Sequence, residues 1–161
     1  MERNKFGFTL IELLVVIIII IIFAGLTLPS YNLQTRQLTL KNEAKKLAST
    51  IELAKKKAVA SETNESCANF NGFQVAINAN GYSLIRLCDD NQTVSTYQFP
   101  VNSNISITVG AGNILNFPPA GFGINLTTNT ITLKNSSINQ CINIFLSSIG
   151  IVDISASLTG C

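Results

Sequence analysis

Four cysteines are the residues of this 161-residue chain that could form covalent cross-links or bind a metal. They are widely spaced, at Cys67, Cys88, Cys141 and Cys161. No pair has the Cys-x-x-Cys spacing, so the pattern does not favour a zinc ribbon or a thioredoxin-type site. In an exported domain, an even number favours two disulfides, for which three pairings exist. We expect Cys67–Cys88 and Cys141–Cys161, each closing a loop of about 20 residues worth roughly 3 kcal/mol; free buried cysteines are the alternative.

Other combinations of reactive side chains are sparse. The chain has no histidine, which excludes histidine-based catalytic triads and histidine-ligated metal sites. Asp89 and Asp90 could form an acidic pair, but next to Asn91 they are typical of an exposed turn. The Gly-Ala-Gly run at Gly110 lacks the strand–turn–helix pattern of a dinucleotide site, so we interpret it as a loop. The sequence therefore predicts no enzyme activity, no metal site and no bound cofactor.

A single carboxylate, Glu12, lies within a long apolar run. The run from Phe8 to Leu28 has 21 residues and no other charge. As a helix it would be about 31 Å long, close to the thickness of a bilayer's hydrocarbon core. A cleaved signal peptide fits less well, because the run is long and no small-x-small site follows it. An ordinary membrane anchor does not explain Glu12, since a carboxylate within a spanning helix costs a few kcal/mol and usually marks function.

The charges divide the chain into four segments. A leader at 1–7 has a net charge of +1, and the apolar half of a helix at 8–29 has the single charge of Glu12. The amphipathic half of that helix, at 30–60, has a net charge of +5, and a β-rich head at 61–161 has −3. With 47 % hydrophobic and 12 % charged residues, the chain resembles neither an ordinary cytosolic globule nor a disordered protein.

The segment 30–60 continues the helical period after Pro29, where we expect a kink. Charged residues, among them Lys45 and Glu52, lie opposite an apolar stripe that is rich in alanine. We expect a sheet of the same chain to pack closely on this stripe, and the helix to end near Ala60. The stripe follows a 4-3-4-3-4 spacing and consists of Leu40, Ala44, Leu47, Ile51, Ala54 and Ala58.

The rest of the chain alternates short apolar strands with turn residues. Asn80-Gly81 predicts a tight hairpin between the first two strands. Because no second helix is predicted, we expect an α+β fold in which the long N-terminal helix packs on an antiparallel sheet or small β-sandwich. The predicted strands are Phe73–Ala79, Tyr82–Leu87, Thr93–Phe99, Ile105–Val109, Ile114–Phe117, Gly123–Leu126, Thr130–Lys134, Cys141–Leu146 and Ile151–Ser155.

The sequence KFGFTLIE, at residues 5–12, resembles the class III signal of type IV pilins and type II secretion pseudopilins. The resemblance implies that a prepilin peptidase cleaves between Gly7 and Phe8 and methylates the new amino terminus. It also implies that Glu12 meets the free amino terminus of a neighbouring subunit, so that the buried charge is paired. Pro29 stands where many of these proteins have a helix-breaking proline.

A second resemblance, to the C-terminal pattern of the GspH/FimT group, covers Ile114–Gly121, Ile131–Leu133, Ile142–Ile144 and Ser148–Ile151. DNA-binding members of that group carry a Gly-Arg-x-Arg motif near the C-terminus. Here the corresponding stretch begins at Gly150 and reads GIVD, without either arginine.

Basic residues are also scarce elsewhere in the head. The head contains Arg86 and Lys134 against five acidic residues. Phosphate contacts dominate the affinity for DNA, and they need clustered basic side chains. The cluster Lys55–Lys57 on the helix is the one remaining basic patch. We therefore do not expect DNA as a partner.

These resemblances imply a structural subunit of a filament. The leading hypothesis is a minor pilin of a type IV pilus that helps to initiate assembly. The alternatives are a GspH-type minor pseudopilin of a type II secretion system and a DNA-binding minor pilin for natural transformation. The implied location is the bacterial inner membrane, crossed once with the head in the periplasm, and then the filament. The implied partners are other pilin or pseudopilin subunits, prepilin peptidase and inner-membrane lipid.

Overall fold

The computed structural model describes residues 9–61, 67, 69–119, 124 and 128–161, and gives the backbone alone for residues 24–30. The chain divides into two compact units, one that ends at Thr35 and one at Arg36–Cys161. The second unit therefore contains the last part of the helix together with the described strands.

One long helix, α1, runs from Leu10 to Val59, as the apolar run and the continued period predict. The backbone at Pro29 is helical, so this proline does not end the helix. The helix ends one residue before Ala60, whose amide still donates to the Lys56 carbonyl at 2.9 Å.

The predicted stripe on the second half of α1 is confirmed. All six of its side chains are at most 1 % exposed. The 4-3 spacing keeps them on one face, and three alanines allow the strands to approach the helix closely. The stripe forms one cluster with apolar side chains from both sheets, among them Phe73, Val75 and Leu133.

The strands form two antiparallel sheets, which confirms the α+β prediction. In the first sheet the order is β3-β2-β1-β5, and in the second it is β4-β6-β7-β8, with β9 paired to β7. The first sheet contains β1 (Gly72–Asn78), β2 (Gly81–Leu87), β3 (Gln92–Gln98) and β5 (Ile114–Phe117). The second contains β4 (Ile105–Val109), β6 (Thr130–Asn135), β7 (Gln140–Leu146), β8 (Val152–Ile154) and β9 (Thr159–Gly160).

The first hairpin differs from its prediction by one residue. Asn78 pairs with Gly81, so the loop is Ala79-Asn80 rather than Asn80-Gly81. A side chain at Gly81 would place its Cβ 2.1 Å from the Tyr97 carbonyl oxygen. Glycine is therefore required here by the close approach of β3, and not by the turn.

At the end of the chain, one predicted strand is shorter in the structure and one short strand was missed. The last predicted strand, Ile151–Ser155, is the shorter β8, and the two-residue β9 near the C-terminus was not predicted. The predicted strand Gly123–Leu126 lies outside the described residues, apart from Ile124. Strands of two or three residues are too short to show a recognisable alternation of apolar and polar residues, because pairing with a neighbouring strand defines them.

Both disulfides that we expected are present in the structure. Cys67 is bonded to Cys88 and Cys141 to Cys161, with Cα atoms 5.5 Å apart in each pair. The first joins the segment after α1 to the end of β2, and the second joins β7 to the last residue. Each bond therefore holds a segment with little pairing of its own against a long strand.

Candidate subunit-assembly segment

The first turn of α1 is capped by a residue that sequence analysis overlooked, Thr9. The Glu12 amide donates to the Thr9 carbonyl at 3.1 Å and to its hydroxyl at 3.3 Å. Threonine followed by glutamate three residues later is the capping-box pattern, which was visible in the sequence. The carboxylate of Glu12 is exposed and lies in the first turn, where the helix dipole favours a negative charge.

The structure describes no side chain at the predicted cleavage site or at the predicted kink. Gly7 and Phe8 lie outside the described residues, and the side chain of Pro29 is not described. Of the three residues assigned to processing and assembly, Gly7, Phe8 and Glu12, Glu12 alone has a described side chain.

The described side chains that follow Glu12 are apolar on all sides of the helix. From Leu13 to Phe23 every one is a large hydrophobic residue, and the least exposed, Val16, is 44 % exposed. A helix with this composition is normally covered by other apolar groups, because a continuous exposed apolar surface marks an interaction site. No helix within the described residues has the length and apolar character needed to cross a membrane.

The second half of α1 contacts β3 through Lys46, which pairs with a buried carboxylate that was not predicted. Glu43 is 2 % exposed, and Lys46 donates to its Oε1 at 2.8 Å. The Lys46 ammonium lies 5.2 Å from the centre of the Tyr97 ring. The hydrogen bond to Glu43, with a smaller contribution from Tyr97, raises the pKa of Lys46. Lys46 therefore stays charged and links the helix to the exposed strand.

Tyr82 lies beneath this attachment. Its ring stacks on Tyr97 with centroids 5.3 Å apart. Burial raises its pKa from 10.0 to about 12, because the phenolate loses its hydration there. The cluster of Glu43, Lys46, Tyr82 and Tyr97 thus has a structural role, since it joins the helix, β2 and β3.

At the other side of the head, the basic cluster on α1 meets the loop that precedes β8. Lys55 donates to the carbonyls of Ile149 and Gly150, at 2.9 and 3.3 Å. Beside it lies an open groove of about 610 Å³, lined by the last two turns of α1 and by Gly150, Ile151 and Val152. Its apolar side chains, Val59, Ile151 and Val152, lie beside the charged side chains of Glu52, Lys55 and Lys56.

The two basic residues of the head do not form an anion site. Arg86, on β2, donates to Gln92 at 3.3 Å, and its guanidinium lies 5.7 Å from the centre of the Phe73 ring. Lys134 is on β6 of the other sheet, opposite Cys141. Within the described part of the chain, no three histidine, cysteine, aspartate or glutamate side chains are grouped to hold a metal.

Among known families, the prokaryotic N-terminal methylation motif matches the chain at residues 3–28. The match includes Gly7, Phe8 and Glu12, the residues on which the predicted processing depends. Neither the curated proteins nor the solved structures contain a match to the chain. The amino-terminal match and the helix that packs on antiparallel sheets together support membership of the type IV pilin and pseudopilin superfamily.

Proposed function

We propose that the chain is a minor pilin-like subunit of a type IV pilus, and that it acts in filament assembly or initiation. The observation that carries the proposal is the N-terminal methylation motif at residues 3–28, which implies prepilin processing and assembly with other pilin subunits. Its role is structural rather than catalytic.

The exposed apolar side chains of α1 support a role in packing against equivalent helices. From Leu13 to Phe23 they cover every side of the helix, so that several neighbours can cover it at once. In the assembled state these helices would exclude water from one another. A carboxylate among them is costly unless it meets a positive charge, and the amino terminus of a processed neighbour would supply one to Glu12.

The location that fits this function is the bacterial inner membrane first, with the head in the periplasm, and the filament afterwards. The two disulfides support export of the head. Both of its cysteine pairs are oxidised, and disulfides persist in oxidising compartments. Before assembly, membrane lipid would cover the apolar residues that other subunits cover later.

A GspH-type minor pseudopilin of a type II secretion system is the second candidate. It shares the signal, the helix and the fold, so the physical arguments above apply to both. The resemblance of Ile114–Gly121 and the later strands to the GspH/FimT group supports this second candidate.

A DNA-binding minor pilin is a weaker candidate. Lys55 is already bonded to two backbone carbonyls, and Arg86 is bonded to Gln92. A typical DNA-binding protein makes about six to ten phosphate contacts, and the head cannot supply that number.

Deletion of the gene in its host tests the proposal. We expect loss or shortening of surface pili in electron micrographs, while secretion of folded proteins into the medium is unchanged. Complementation with the wild-type gene should restore pili. Loss of secretion with normal pili would instead favour the pseudopilin, and normal pili with normal secretion would contradict both candidates.

A further inference from the structure

The strand β3 forms one edge of the first sheet, and Tyr97 is its side chain that packs on Tyr82 and Lys46. In the described structure it pairs with β2 alone. Six of its seven residues are exposed, and Gln92 is partly exposed. An edge strand of this kind presents a row of backbone donors and acceptors that another extended chain can bind.

The other sheet edges are short, carry a proline or a charge, or are already hydrogen-bonded, whereas β3 has one irregularity, at Val94. The opposite edge, β5, has four residues and is followed by Pro118-Pro119. On the second sheet, β8 has three residues and carries Asp153. The edge of β4 is occupied, because the Ile107 amide donates to the Ala79 carbonyl at 2.8 Å. Short strands, prolines and charges are the usual protection against edge-to-edge pairing.

The sequence of β3, QTVSTYQ, contains no charged residue and no proline. Its threonines, Val94 and Tyr97 are residues that favour strands and pair well across them. Three large hydrophobic side chains lie on or beside this edge, and Val94, Tyr97 and Val101 are 43 %, 37 % and 97 % exposed. A register shift leaves Val94 unpaired, but the residues from Ser95 to Gln98 pair regularly with β2.

We propose that β3 pairs antiparallel with the β3 strand of a second copy of this chain. Two identical strands bring identical side chains together, so any charge on the strand would repel its own copy. The uncharged β3 avoids that repulsion, and a two-fold contact of this type is the commonest way in which identical subunits associate.

The charges around β3 fit a second copy in this orientation. The acidic turn Asp89-Asp90 lies just before the strand, and Val101 lies just after it. In an antiparallel pair the two acidic turns lie at opposite ends, about 20 Å apart for strands of this length. Each turn then lies beside the uncharged Pro100-Val101 of the other copy. The proposal goes beyond filament assembly and does not depend on which filament the chain joins.

Cysteine cross-linking of the full-length chain in host membranes tests the proposal. Ser95→Cys, Thr96→Cys and Gln98→Cys are made one at a time, and covalent dimers are measured on non-reducing gels. A two-fold axis within the regularly paired stretch from Ser95 to Gln98 would bring one of these positions close to its own copy, so we expect at least a fivefold higher dimer yield there than for Asn116→Cys. That control is an exposed position on β5, at the opposite edge of the same sheet.

A second variant separates strand pairing from chance collision. Val94→Lys, added to the cross-linking variant, places one positive charge on each copy at this edge and should reduce the dimer to the control yield. Peptide mapping should show the engineered cysteine joined to its counterpart, with both native disulfides intact. Yields no higher than that of Asn116→Cys, an unchanged yield with Val94→Lys, or a cross-link to a different protein would each overturn the proposal.

Discussion

The ammonium of Lys55 donates to the Ile149 carbonyl at 2.9 Å, although the two residues are 94 positions apart in the chain. This bond joins the last turns of α1 to the loop that precedes β8. Gly150 follows in that loop with a φ of +75°, and a Cβ there would lie 3.1 Å from the Lys55 side chain. The absence of a side chain at Gly150 therefore allows both the turn and the approach of Lys55.

Gly150→Ala should destabilise the chain more than Gly112→Ala. Both glycines have a left-handed φ, which costs about 1–2 kcal/mol for other residues, but a Cβ at Gly112 would meet nothing within 4 Å. Thermal or denaturant unfolding of both variants measures the difference. Adding Lys55→Ala to each variant should remove most of the difference between them. Equal losses of stability for the two glycine variants would show that the contact with Lys55 is unimportant.

The mature chain should begin at Phe8. Cleavage after Gly7 leaves 154 of the 161 residues, and the new amino terminus should be methylated. Intact mass and N-terminal sequencing of protein extracted from host membranes measure both changes. A Gly7→Asp variant serves as the uncleaved control. A wild-type chain that keeps Met1 to Gly7 in a host with active prepilin peptidase would contradict the prediction.

Glu12→Gln should allow membrane insertion but weaken incorporation into filaments. Glutamine can still occupy the third position of the capping box, so the variant removes the charge and keeps the local helix signal. Thr9→Val removes the hydroxyl that the Glu12 amide contacts and keeps the charge, which makes it the matched control. Immunoblotting of sheared filaments and membranes measures both variants. A larger loss for Thr9→Val would show that capping, rather than pairing with a neighbour, explains Glu12.

The protein isolated from its host should contain no free thiol, since the described cysteines are all in disulfides. Alkylation after unfolding without reductant should therefore label no cysteine. Replacing Cys67 and Cys88 by serine should cost about 3 kcal/mol of unfolding free energy, as expected for a loop of this length. The corresponding Cys141 and Cys161 pair closes a loop of similar length and should cost about the same. Two or more labelled cysteines in the native protein would refute the prediction.

The stability of the head should fall as the pH rises from about 10 to about 12, the interval between the usual pKa of tyrosine and that of Tyr82. In this interval the folded state keeps a proton that the unfolded chain releases, so stability decreases with pH. The raised pKa of Lys46 acts in the same direction. Because the Tyr82 phenol is buried, we expect the free energy of unfolding to fall by an amount on the order of 1–2 kcal/mol over this pH interval.

Urea unfolding followed by near-ultraviolet circular dichroism measures this alkaline loss. Tyr82→Phe should make the pH dependence shallower, because the buried titrating hydroxyl is gone. Tyr31→Phe changes an exposed tyrosine and should leave the dependence as in the wild type. An identical slope for wild type and Tyr82→Phe would exclude burial of this phenol as the cause.

Local patterns were sufficient for the helix and for most of the strands. The apolar run and the 4-3 spacing from Leu40 to Ala58 predict α1, because helical periodicity is a property of nearby residues. Alternating burial along β6 and β7 is local in the same way. The family match at residues 3–28 also depends on sequence alone, and it carries the functional proposal.

Tertiary structure decided the features that depend on distant residues. Glu43 is buried and its partner Lys46 lies over Tyr97 of β3, and no helical pattern contains that information. The hairpin loop lies one residue earlier than predicted because Gly81 must accommodate the Tyr97 carbonyl of the neighbouring strand. Sequence allowed three cysteine pairings, and the pairing that we expected is the one that the folded chain brings together. Sequence predicts contacts along one element well, whereas contacts between elements follow from how the whole chain packs.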